Sequence, residues 1–269
     1  MTDTPANGLF ERDGDWYQPS EFTRGPWRSD AQHGGPPSAL LGHVLEPEVD
    51  ASEFLTHVEI ELMRPVPLSR LRGEVRRERV SGRVARLHAT LHSETEPVAR
   101  ANALVLQRTE LDPPDWTAPT EPAIDPPDET AAVEPPRWAT GQRTTYHRNG
   151  VEHRFTRGTF KEAGPAVDWI RLRQPLVVGE ATSGFERVLA AADFGSGISA
   201  IYGPTATFGL INANLAVSFH RPAEGEWISL DARTFADGGT GTGLGITMLG
   251  DRHGPVGVAT QSLLGYSIR

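Results

Sequence analysis

The sequence predicts an α+β chain built from two copies of one unit, a buried helix followed by an antiparallel meander. Three observations predict it: two short stretches with apolar residues at helical spacing, a series of strand-like runs after each, and short landmarks that recur at one offset. With 269 residues, 38% of them hydrophobic, the chain is long enough to bury a sizeable core.

The first helix is expected over Pro36 to Glu46, where Ala39, Leu40, Leu41, Val44 and Leu45 fall on helical spacing and the two prolines sit in the first turn, which tolerates them. Strands are expected at Val58 to Met63, Leu71 to Val80, Ala85 to His92 and Val98 to Gln107, with Ser81-Gly82 and Glu94 to Pro97 as turns. Residues 109–136 are dense in Pro, Asp and Glu with little apolar periodicity and read as a solvated connector. They divide the chain into an N-terminal half, 1–108, and a C-terminal half, 137–269. In the second half, strand-like runs at Glu152 to Phe160 and Val167 to Leu172 precede a helix over Ser183 to Asp193, striped by Phe185, Val188, Leu189 and Ala192. Further strands are expected at Asn212 to His220, Trp227 to Phe235, Gly243 to Leu249 and Val256 to Ile268.

The duplication shows in residues as well as in pattern. Met63-Arg64-Pro65 corresponds to His220-Arg221-Pro222 at an offset of 222 − 65 = 157, and Pro97-Val98-Ala99 to Pro255-Val256-Gly257 at 255 − 97 = 158. Each half would leave a bare sheet edge, and joining the halves side by side covers it. One continuous sheet curled around two helices follows, with a ligand groove at the seam.

Composition removes several function classes. A net charge of −9 gives no electrostatic support for binding nucleic acid or an anionic membrane. The absence of cysteine removes disulfides, thiolate metal sites and a cysteine nucleophile. No histidine–carboxylate spacing suggests a metal, and no cofactor is implied. The run Asp237 to Gly245 lies between strands and lacks a lysine, so it reads as a bulged hairpin and not a phosphate loop. Trp27, Trp169 and Trp227 are expected in the core or the groove wall. The polar start, Met1 to Tyr17, does not read as a signal peptide, and no run approaches the ~20 apolar residues of a membrane span. A cytoplasmic protein is expected.

Four segments carry a family resemblance: His33-Gly34-Gly35-Pro36-Pro37 opening the first helix, Ala192 to Gly197 closing the second, Phe219-His220-Arg221-Pro222, and Gly254-Pro255-Val256 through Thr260-Gln261. Together they resemble the thioesterase-like superfamily and are similar to the type II acyl-CoA thioesterases. The resemblance implies a double hotdog fold and hydrolysis of an acyl thioester, with acyl-CoA as substrate, not cofactor, and a small-molecule acyl thioester as the partner. Further pairing of such folds into homo-oligomers is frequent. It also implies a polar trio in the second half that holds a water against the thioester carbonyl: an aspartate, a serine or threonine, and a glutamine. Taken by motif, the trio falls on Asn214, six residues before His220, on Thr234 and on Gln261.

An amide at Asn214 orients by hydrogen bonding but cannot take a proton from water. Two readings therefore stay open, hydrolysis and acyl-thioester binding without turnover; a hydratase, which needs an acid–base pair, ranks below both. Asn212 shares the face of Asn214 by the two-residue strand period and is the alternative. Neither Asn214 nor Gln261 is repeated in the first half, where the offsets reach His57 and Ala103, so one site per chain is expected. Among substrate-binding candidates, Gly34 and Gly35 permit close approach at a helix start, where backbone amides can face developing negative charge. His33 beside them is a donor or a cap. Asp193 is the motif carboxylate able to replace the missing base, or a partner of the following glycine turn.

Overall fold

A computed structural model describes residues 8–26, 28–117, 143–201 and 207–267. Two small strands come first, β1 (Phe10–Asp13) and β2 (Trp16–Pro19), followed by helix α1 (Gly35–Leu45) and strands β3 (Glu53–Leu62), β4 (Leu71–Arg79), β5 (Val84–His92) and β6 (Pro97–Gln107). The second half runs β7 (Val151–Arg157), β8 (Ala166–Leu172), α2 (Gly184–Ala192), a single helical turn α3 (Gly195–Ile198), β9 (Phe208–Asn212), β10 (Asn214–Phe219), β11 (Trp227–Asp237), β12 (Thr242–Asp251) and β13 (Gly254–Ser267). All strand pairs are antiparallel and form one sheet in the order β1-β2-β4-β5-β6-β3-β10-β13-β12-β11-β8-β7, with β9 added on β13. This is the expected α+β double hotdog. Most of the connector, 118–136, and Trp27 lie outside the described residues; Trp169 and Trp227 are buried.

The halves meet at β3 and β10, where Glu59 faces Ala216. Because 216 − 59 = 157, that pair joins a residue to its own duplicate, and the internal two-fold axis passes through it. The motif arginines repeat as well: Arg64 pairs with Glu96, and Arg221 grips the fully buried Asp251 through both guanidinium nitrogens at 2.6 and 2.7 Å.

Helix α1 is buried on almost every side, so a one-sided stripe would not suffice; Leu40, Leu41 and Leu45 are fully enclosed. Helix α2 is fixed at its start by a capping box in which Ser183 accepts from the Glu186 amide and Glu186 from the Ser183 amide. The helices lie antiparallel and very close. A Cβ added at Gly42 would stand 2.8 Å from Leu189, one at Gly35 2.5 Å from the Ala190 carbonyl, and one at Gly34 2.6 Å from the Asp193 carboxylate. Only glycine fits that seam.

β1 and β2 were not expected. The amides of Leu9 and Phe10 donate to the Pro175 and Leu176 carbonyls, and the Val178 amide donates to Phe10, so the start of the chain is tied to the segment after β8. The expected strand over Asn212 to His220 is two strands broken at Ala213, and the break shifts the inside–outside alternation by one residue.

Candidate active site

A cavity of about 340 Å³ opens beside the start of α1 and the end of α2. Leu62, Val66, Phe160, Phe194, Ile201 and Leu210 give it an apolar body; His33, Gly34, His147, Asp193, Ser196, Asn212 and Thr234 supply polar groups; Arg28 and Arg64 stand at its rim. Volume and lining suit a small organic ligand with an apolar part.

Asp193 caps the C-terminal end of α2, and its side chain is 7% exposed. Its Oδ1 accepts from Asn212 Nδ2 at 2.7 Å, and its Oδ2 lies 3.1 Å from His33 Nδ1. Gly34, lacking a side chain, lets the carboxylate lie against the start of α1. The Gly35 amide donates to His33 Nδ1 at 3.0 Å, which favours the tautomer with the proton on Nε2. Burial holds the His33 imidazole below its ordinary pKa against the opposing pull of Asp193, so the ring is neutral at pH 7.

The expected anion site at the start of α1 is narrower than the glycines suggested. Pro36 and Pro37 have no amide hydrogen, and the Gly35 amide is taken by His33, which leaves the Gly34 N–H as the donor that turn can offer.

Thr234 faces the cavity from β11. Its hydroxyl is 2.7 Å from Ser199 Oγ, and Ser199 already donates to the Gly195 carbonyl. The proton between the two hydroxyls therefore belongs to Thr234, whose oxygen keeps lone pairs for a donor such as water. Gln261 does not line the cavity. Its Oε1 accepts from the Ser196 amide at 2.9 Å and its Nε2 donates to the Asp193 carbonyl at 3.2 Å, so it braces the Asp193–Ser196 turn from below.

Asn214 and Asn212 do not share a face. After the break at Ala213, the Asn214 side chain lies on the outer face of the sheet, where its Nδ2 donates to Glu59 Oε1 and its Oδ1 accepts from the Ser262 amide. Asn212 reaches the cavity. The structure thus brings His33, Gly34, Asp193, Asn212 and Thr234 together, sets Gln261 and Gly35 behind them, and puts Asn214 elsewhere.

A further polar group went unnoticed in the sequence. His147, in a π-helical turn over Tyr146–Gly150, lines the cavity, with its ring 4.6 Å from both His153 and Phe160. His153 Nδ1 is 2.5 Å from Oδ2 of the fully buried Asp168, whose Oδ1 accepts from the Arg154 amide. Burial pushes His147 down to about 2 and His153 to about 3, and drives the Asp168 carboxyl well above its ordinary range. The alternation Val151, His153, Phe155 signals that His153 faces inward.

Residues 23–106 match the model of the acyl-CoA thioesterase N-terminal domain, and residues 113–264 match that of the acyl-CoA thioesterase C-terminal domain. No curated protein matches the chain. Among solved structures it is similar to a hot dog fold protein of unknown function from Alicyclobacillus acidocaldarius, at 15% identity and a TM-score of 0.72, covering 98% of each chain. It is also similar to an acyl-CoA thioesterase II, TesB2, from Mycobacterium marinum, at 13% identity and a TM-score of 0.67, over 96% of this chain and 94% of that one. A tesB protein from Mycobacterium avium subs paratuberculosis matches at 13% identity and a TM-score of 0.65, over 96% of each chain. At these identities the structural likenesses speak for the fold.

Proposed function

Since the chain belongs to the acyl-CoA thioesterase family, we propose that it hydrolyses acyl-CoA thioesters at the cavity beside the start of α1 and the end of α2, with Asp193 as the base. The observation that carries this reading is the Asp193 carboxylate, oriented by the Asn212 amide at the wall of an apolar cavity. A water between Asp193 and Thr234 would give one proton to the carboxylate and point the other at the threonine oxygen. Its oxygen then bonds to the thioester carbon, and negative charge moves to the carbonyl oxygen, for which the Gly34 N–H is the available donor. The C–S bond breaks as the carbonyl re-forms, and the proton on Asp193 passes to the leaving thiolate. Gln261 holds the turn carrying Asp193 and acts by positioning.

The apolar lining would receive the acyl chain and the rim arginines would face the anionic end of the CoA. Binding without turnover was motivated by Asn214, which is not in the cavity, so that motive lapses. The test is thiol release from a panel of acyl-CoAs. Wild type is expected to turn over at least one chain length, and Asp193→Asn to lose about 10²–10⁴ of kcat with little change in KM. No turnover of any chain length would refute the proposal.

A further inference from the structure

The internal two-fold that pairs Glu59 with Ala216 also relates two cavities. Because α1 and α2 are antiparallel, the start of each helix stands beside the end of the other. One such junction holds the cavity described above. At the opposite one, beside the start of α2 and the end of α1, a second cavity of about 280 Å³ opens.

The second cavity is built from the same positions as the first. Leu62, Pro65 and Val66 line the first, and Phe219, Pro222 and Ala223, their duplicates at 219 − 62 = 157, line the second. On β9 and β3 the exchange runs the other way: Leu210, Ile211 and Asn212 line the first, and Glu53, Phe54 and Leu55, at 210 − 53 = 157, line the second. The helix ends agree. Asp193 is the C-cap of α2 and Glu46 that of α1, while Gly34 and Ser183 are the two N-caps. Where bare Gly34 admits the Asp193 carboxylate, the Ser183 hydroxyl donates to Glu46 Oε2 at 2.6 Å.

What differs is the equipment around the carboxyl group. Asn212, which aims Asp193, is answered by Leu55; Thr234 by Arg77, which pairs with Glu53 at 2.6 Å; and Gln261 by Ala103. Those replacements remove the groups that aim a carboxylate and hold a water. The apolar wall is retained in Phe54, Leu55, Phe185 and Phe219, with the last two rings 5.1 Å apart. Arg108 stands exposed at the mouth, its guanidinium 5.5 Å from the Phe54 ring and its Nε donating to the Glu53 carbonyl at 2.6 Å.

We infer that the second cavity is a binding site for an acyl chain with an anionic head, which it holds without cleaving. The aromatic and aliphatic walls receive the chain. Arg108 receives the head, because an arginine beside a carboxylate or phosphate makes charge-assisted hydrogen bonds. The other charges lining the cavity are engaged: Glu53 is paired with Arg77, Asp50 lies 4.0 Å from the same guanidinium, and Glu46 accepts from Ser183. The head therefore sits at the mouth and the chain runs inward. The ligand class rests on reading the first cavity as an acyl site; the cavity and its duplicated lining do not. A free fatty acid and an acyl-CoA share this chemistry.

The test counts ligand bound per chain by isothermal titration calorimetry, with octanoate and, separately, with octyl-CoA, a thioether that cannot be hydrolysed. Ala51→Trp and Ala223→Trp each fill the second cavity from its wall; Ala51 is exposed and Ala223 half-buried, so two variants guard against one failing to fold. Both are expected to bind one equivalent less than wild type, with unchanged circular dichroism and unchanged thiol release from acyl-CoA. Arg108→Ala is expected to weaken that equivalent about 10-fold. An equivalent lost with octanoate assigns the cavity to a free fatty acid, and one lost only with octyl-CoA assigns it to the CoA ester. Thiol release absent from wild type would end the thioesterase reading, yet the lost equivalent would still establish the second site. Equal stoichiometry in wild type and both filled variants with both probes, or undiminished affinity in Arg108→Ala, would overturn the inference.

Discussion

Gly34→Ala tests the site through a single methyl group. Gly34 has φ −66° and ψ −26°, a conformation alanine adopts freely, so the backbone gives no reason for loss. Replacing glycine there should even stabilise the fold slightly, by about 0.4–1 kcal/mol through the unfolded chain. The methyl, however, would stand 2.6–2.8 Å from three atoms of the Asp193 carboxyl group. Relief needs a carboxylate shift of roughly 1 Å, and the carboxylate is tied at 2.7 Å to Asn212, so the shift breaks the arrangement that aims it. A misplacement of that size costs about 100-fold, or ~2.7 kcal/mol of barrier. The assay is thiol release from the best acyl-CoA, alongside thermal unfolding. Gly82→Ala, where the methyl meets nothing within 4 Å, is the control. If Gly34→Ala keeps wild-type kcat with an intact fold, Asp193 in this position is not the base.

Asn212→Ala should lower kcat about 10-fold or more by releasing Asp193, whereas Asn214→Ala should leave it within about twofold; the reverse order in the thiol-release assay would return the role to Asn214. Glu46, at the far end of α1, is pushed up to about 6 from its ordinary 4.5 by burial, partly offset by the Ser183 hydroxyl. The folded state then holds a proton that the unfolded chain has released, so this contribution to stability is fullest below about 4.5 and is lost as pH rises through about 6. Glu46→Gln should gain about 1–2 kcal/mol at pH 7 in urea unfolding and flatten the pH dependence across that window. Arg221→Ala strands the buried Asp251 and should cost about 2–4 kcal/mol by the same measurement.

What the sequence conveyed and what it withheld divide along a physical line. Helix α2 and the strands of both meanders were legible because burial of one face imposes a local period, whereas α1, buried on almost every side, was legible from its apolar run behind two first-turn prolines. The seam was legible because the duplicated landmarks keep their spacing. The reversal of Asn212 and Asn214 was not, since the break at Ala213 arises where β9 and β10 meet different stretches of β13, a matter of long-range pairing. Gly34 and Gly35 were noticed as a helix start, yet their tightest contacts are to α2, which only the packing of the two helices reveals. His153 falls in a segment whose alternation was visible but whose partner, Asp168, lies a strand away, and His147 sits in the π-helical turn before that segment, where no strand period applies.

The hook between residues 8–10 and 175–178 has a consequence for how the molecule is made. Leu9 and Phe10 are wholly enclosed, and the segment that their amides bond is synthesised some 165 residues later, so the leading strand leaves the ribosome long before that partner exists. Maturation should accordingly be slow and end with that docking. An N-terminal fragment released early would carry two greasy side chains with nowhere to go, and a bulky tag fused close to Leu9 would obstruct the final step of assembly.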